Sequence, residues 1–170
     1  MTNTRFSTAI HLLTELAFRP GELMSSATLA EKIKCHPVVI RRLIGALKKA
    51  SVVTSTRGAG GGVQLAMQPE DVSLSMIAEL FDERLAFETH SLPVSALDTD
   101  HFSDAVLSML ENERRKVHLA GMSHLDGVTL SDILSASILR SELTALVASG
   151  LTDEEIRTSY RIKDGHLVRN

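Results

Sequence analysis

Tryptophan is absent from this chain of 170 residues, and aromatics make up only 4% of it. A core must therefore be aliphatic, with six methionines available to fill gaps. Cysteine occurs once, at Cys35, which excludes an intramolecular disulfide. No apolar run approaches the roughly 18 residues of a membrane span. The opening MTNTRFSTAIHLLTELAF lacks the basic segment, uninterrupted apolar stretch and small-residue cleavage site of a signal peptide. Internal repeats and low-complexity segments are missing as well. The expectation is a cytoplasmic protein with no membrane partner.

Net charge is also low, at −3, but it is unevenly placed. Residues 1–67 hold nine Lys/Arg against three Asp/Glu, whereas residues 68–170 hold nine against eighteen. A basic head on an acidic body fits a head that meets nucleic acid. The basic part also carries the strongest local pattern. Leu29, Ala30 and Ile33 run into the polar break Lys34-Cys35-His36. Pro37 then opens a second helical pattern with Ile40, Leu43, Ile44 and Leu47 inward, because proline suits a first helical position. Two helices joined this tightly read as a helix-turn-helix. Val52, Val53 and Thr54, the loop RGAGGG, then Val63 and Leu65 read as a small hairpin, or wing.

The remaining elements follow in order. Residues 4–18 form an amphipathic helix, with Asn3 or Thr4 as cap and Pro20-Gly21 as stop. Ser26 caps the helix over 27–33, and Ser73 caps one with Leu74, Ile77, Ala78 and Phe81 inward. Residues 83–98 lose periodicity and read as a linker. A long helix over 99–120 carries an apolar stripe (Phe102, Val106, Met109, Leu110, Val117) that a symmetric partner would cover. Thr129 with Asp132, and Thr152 with Glu155, are capping boxes for helices to about Ala148 and over 153–161. The tail from Lys163 reads as polar and frayed. The expected fold is mainly α: a winged helix-turn-helix with a three-helix core and a β-hairpin wing, a long dimerisation helix and extra C-terminal helices. Its parts are 1–82 for DNA binding, 83–98 as linker, and 99–170 as dimerisation helix and helical extension.

A helix lying in a major groove reads bases with side chains near its N-terminus. That selects His36, Val38, Val39, Arg41 and Arg42, with Lys48 further along as a phosphate contact. Arginine can bind guanine in bidentate fashion, and valine can touch a thymine methyl. Arg57, at the base of the wing, is placed for a minor groove. Thr2 and Arg5 stand at a helix N-terminus that can meet phosphate. The glycine loop lacks the Gly-Lys-Ser/Thr ending of a phosphate-cradling loop. Cys35, flanked by Lys34 and His36, is a candidate redox switch; its other reading is a small buried turn residue. No metal site is expected, since His118 and His124, and His90 and His101, lack metal-ligand spacing.

The runs RFSTAIHLL, HPVVIRRLIGALKKASVVTSTRGAGGG and QPEDVSLSMIAELF resemble the Rrf-two family of bacterial winged-helix transcription regulators, in its YwnA-like branch. The likeness covers residues 3–82 well and the long helix loosely. It implies a homodimeric repressor on a near-palindromic duplex site, with His36, Val38, Val39, Arg41, Arg42 and Arg57 at the DNA-contacting positions. Many such proteins hold an iron–sulfur cluster through three cysteines before the long helix. Residues 83–98 contain none, so no such cofactor is expected. Residues from about 140 onward extend past the usual family end; strengthening a dimer, covering a ligand pocket and recruiting a protein all stay open. The rival function is an interaction module whose acidic half binds a partner enzyme or regulator. Catalysis is not expected, for no nucleophile motif, carboxylate pair or dinucleotide fingerprint appears in a suitable context.

Overall fold

The structure is a computed structural model that describes residues 4–82, 85, 86 and 101–170, with His101 described in its backbone alone. Thr2 and nearly all of the expected linker 83–98 therefore lie outside the described residues. Three helices open the chain: α1 (Arg5–Ala17), α2 (Ser26–Ile33) and α3 (Pro37–Lys49). Strands β1 (Val53–Thr56) and β2 (Gly62–Leu65) pair antiparallel, and Val53 faces Leu65. A 3-10 turn, Pro69–Asp71, leads to α4 (Leu74–Leu80). Later in the chain come α5 (His101–Asp126), α6 (Leu130–Ala148), α7 (Asp153–Ser159), β3 (Tyr160–Lys163) and β4 (His166–Arg169).

The periodicities explain the packing. Leu12 and Leu13 of α1, Leu29 of α2, and Ile40 and Leu47 of α3 are fully buried and share one cluster with Val52, Val72 and Ile77. Each such aliphatic side chain contributes about 1.5–3 kcal/mol on leaving water. As expected for an aromatic-poor chain, Phe81 is the only aromatic buried with them among the described residues. Leu130, from the other half of the chain, also sits in this cluster at 0% exposure. Backbone bonds fix it there: Leu130 N–H donates to Val72 O at 2.8 Å, and Leu74 N–H to Val128 O at 2.9 Å. Ser75, the one buried polar residue among those described, donates to Asp126 Oδ1 at 2.8 Å.

Several boundaries shift. Ser25, not Ser26, caps α2, its hydroxyl accepting from Thr28 N–H. Thr4 occupies the N-cap of α1 but makes no side-chain cap bond. The long helix runs on to Asp126 rather than stopping near 120. The largest correction is the tail. From Tyr160 the chain forms a hairpin, with Lys163 opposite His166. Asp164 and Gly165 both take positive φ, 51° and 79°, as a tight hairpin turn demands. Glu142 of α6 anchors this hairpin: its carboxylate accepts from His166 Nδ1 at 2.8 Å and from Leu167 N–H at 2.7 Å. The C-terminal extension is thus helices plus a β-hairpin.

Candidate nucleic-acid interface

The turn between α2 and α3 is three residues, Lys34 to His36. Lys34 takes the left-handed conformation at φ 57°, which closes α2: Lys34 N–H reaches Glu31 O, and Cys35 N–H reaches Ala30 O. His36 then caps α3, its Nδ1 accepting from Val38 N–H at 3.2 Å. An accepting Nδ1 leaves the proton of the neutral ring on Nε2, and the ring is exposed. Cys35 is half-buried and packs its side chain against the core.

Helix α3 divides cleanly. Ile40, Leu43, Ile44 and Leu47 face inward. Val38, Val39, Arg41, Arg42, Lys48 and Lys49 are exposed, the two valines at 38% and 36%. At 100° per residue, Val38, Arg42, Gly45 and Lys49 point straight away from the core. Arg41 and Lys48, seven residues apart, share the flank beside the wing. Lys48 Nζ donates to Ser55 Oγ of β1 at 2.7 Å. Gly45 is open: a Cβ there would meet nothing within 4 Å.

The wing is held by a third segment. Met24 and Val63 exchange backbone bonds of 3.0 and 2.9 Å, so the chain before α2 crosses β2. A Cβ on Gly62 would stand 2.8 Å from Leu23 C and 2.9 Å from the Met24 backbone, which requires glycine there. Between α3, the start of α2 and the wing lies an open concavity. Arg41 and Arg57 both line it, with Ser26 and Thr56 beside them. The two arginines, sixteen positions apart in sequence, thus meet on one surface. The sequence suggested Ser26 only as a helix cap and marked Thr56 for nothing; hydroxyls near a basic helix are too common to stand out. Arg5 is exposed at the first turn of α1.

A basic helix with its apolar side buried, flanked by a hairpin that carries a second cation, can lie along a duplex. The model of the Rrf2 family, described as an iron-dependent transcriptional regulator, matches residues 2–136. The chain belongs to the Rrf2 family. That family consists of transcriptional regulators, not enzymes. YwnA of Bacillus subtilis (strain 168), which carries the name of an HTH-type transcriptional regulator, is 40% identical over 74 residues. The match spans 44% of this chain and 53% of that protein, so the chain covers about half the length of this relative. Two solved structures share the fold. The global cysteine regulator CymR of B. subtilis has a TM-score of 0.53 at 22% identity, covering 79% of this chain and 96% of that one. IscR of T. potens has a TM-score of 0.53 at 23% identity, covering 90% and 93%. No helix among the described residues is long and apolar enough to cross a membrane.

Proposed function

We propose that this Rrf2-family regulator is a homodimeric, sequence-specific repressor that binds a near-palindromic DNA site in the cytoplasm. The observation that carries the reading is the convergence of Arg41 and Arg57 on one concavity beside the exposed face of α3. In this reading Val38, Val39, Arg41 and Arg42 meet base edges. His36 Nε2 donates to a phosphate or base, Arg57 enters the minor groove, and Lys48, Arg5 and Thr2 meet phosphates. The packing of Cys35 against the core supports a structural part for that residue rather than a switch.

Two further observations support a dimer. Phe102, Val106, Met109, Leu110 and Val117 share one side of α5 and are all exposed, Met109 at 63%. Helix α6 buries only Leu130 and leaves Val147 54% exposed. A second copy supplies cover for apolar surface of this kind. We also infer that no iron–sulfur cluster is held by cysteine thiolates. The chain has one cysteine, and among the described residues no group of three or more His, Cys, Asp or Glu could hold a metal ion. Such clusters take several thiolates, so these residues do not fit one.

Mobility shift on genomic fragments across a salt series tests the function. Binding should weaken steeply with salt, because neutralised phosphates release counterions. At the selected site, Arg41→Ala should cost about 1–3 kcal/mol and relax specificity. The absence of any retarded fragment at low salt would overturn the reading.

A further inference from the structure

A cavity of about 400 Å³ lies among α1, α6 and β4. Its size falls within the range of small-molecule sites, about 300–1,000 Å³. Phe18, Leu134 and Ile138 supply apolar walls, and Ser137 and Ser141 stand one turn apart on α6. The acidic lining residues are Glu15 and Glu142. The family match ends at residue 136. Ser137, Ile138, Ser141, Glu142 and His166 lie beyond it, so the extension supplies five of the cavity's lining residues.

The charges decide what the cavity accepts. Among the described residues His166 is the only basic one in the lining, and its Nδ1 is already engaged by Glu142. Glu15 is held through Oε2, by Arg19 at 2.7 Å and Lys32 at 4.0 Å. Its Oε1 accepts no hydrogen bond among the described residues, although three-quarters of the side chain is buried. An anionic ligand would meet two carboxylates, and the cations beside them, His166 and the Arg19 that stands over the Phe18 ring at 5.1 Å, are already paired with those carboxylates. A cation with an apolar body would meet apolar walls, serine hydroxyls and an open carboxylate oxygen.

We propose that this cavity is the effector site of the regulator, and that its ligand is a small apolar molecule bearing a protonated amine. The effector role rests on the repressor reading above; the binding does not. Glu15 transmits occupancy: it sits on α1 and also pairs with Lys32 of α2, the first helix of the DNA-binding pair. An ammonium drawing on Glu15 competes with that pair, and whatever the ligand does to operator affinity, the operator does to ligand affinity.

Calorimetric titration of the full chain, without DNA, with 2-phenylethylamine and with 3-phenylpropanoate provides the test. The amine should bind saturably and at least about tenfold tighter than the acid, as expected for one unit charge in a partly buried site. Ile138→Trp fills the cavity and should abolish amine binding. Ser141 is exposed, so Ser141→Phe serves the same purpose without loading the core. Equal affinity for amine and acid, or amine binding unchanged in both variants, would overturn the site. Amine binding with no change in mobility shift at a verified operator would overturn the effector role alone. Failure to retard any DNA would bear on the repressor reading and leave the binding result standing.

Discussion

Lys48 Nζ reaches Ser55 Oγ at 2.7 Å, tying the far end of α3 to the first strand of the wing. The ammonium keeps two further donors and remains exposed, so it can hold the wing and meet a phosphate together. The two roles separate by substitution. Lys48→Ala should reduce the salt dependence of operator binding by about one unit of slope. Ser55→Ala keeps the charge and should leave that slope unchanged while lowering affinity a few-fold, because the wing is less firmly placed. Equal slopes for wild type and Lys48→Ala would assign Lys48 to the wing alone.

Gly45 offers a sharper separation of stability from binding. It lies in the exposed middle of α3 with open space where a Cβ would stand. Glycine inside a helix is about 0.5–1 kcal/mol less stable than alanine. Gly45→Ala should therefore raise the thermal midpoint while weakening operator binding, since the added methyl occupies the face that approaches the duplex. Denaturant melts and mobility shifts on one preparation check both. A stabilised variant with undiminished binding would show that the duplex does not approach α3 at this turn.

Acid should loosen the C-terminal half first. Asp132 is held below the ordinary aspartate value of 3.8, chiefly by the Thr129 N–H and then by the Thr129 hydroxyl. Glu155 is lowered from 4.5 in the same way by Thr152, and Glu142 by the Leu167 N–H and then by His166. In the unfolded chain these carboxyls regain their ordinary values. Between the two sets of values the unfolded state binds more protons, so the stabilisation is fully present above the ordinary values and is lost as pH falls through the folded ones. The thermal midpoint should drop on the acid side of pH 4.5. The triple variant Asp132→Asn, Glu142→Gln, Glu155→Gln should show a shallower drop. Superimposable acid limbs would rule this out.

The head of the molecule was readable in the sequence because its signals are local. Ile40, Leu43, Ile44 and Leu47 repeat with the helix period and are the residues buried from α3. Pro37, Ser73, Thr129 and Thr152 mark helix starts with chemistry confined to three or four residues. Ser25 and Ser26 were indistinguishable by the same logic, since either hydroxyl can cap; only the backbone bond from Thr28 decides. The C-terminal hairpin had a readable signal that polarity obscured: YRIK and HLVR flank Asp164-Gly165, a pair suited to a two-residue turn. The amine cavity had none. It joins residues 14–18, 134–142 and 166, and that approach depends on how α6 leaves Leu130.

The exposed stripe on α5 leads to a prediction about assembly. Met109 stands in the middle of it, between Val106 and Leu110, and Val117 continues it two turns on. In a symmetric pair of helices, Met109→Glu sets carboxylates from both copies into one apolar contact, where each loses hydration and repels the other. Sedimentation should then show monomers at micromolar concentration. Ser108 lies on the opposite side of the same helix and is exposed, so Ser108→Glu adds the same charge without touching the stripe and should remain dimeric. The two variants keep the basic head intact. Both should retain weak, salt-sensitive binding to any duplex, but only Ser108→Glu should hold a two-half-site operator tightly, because one recognition helix cannot span half-sites about 34–36 Å apart. If Met109→Glu sedimented as wild type does, the cover for the stripe would have to come from within the chain, and the two-fold reading of the operator would go with it.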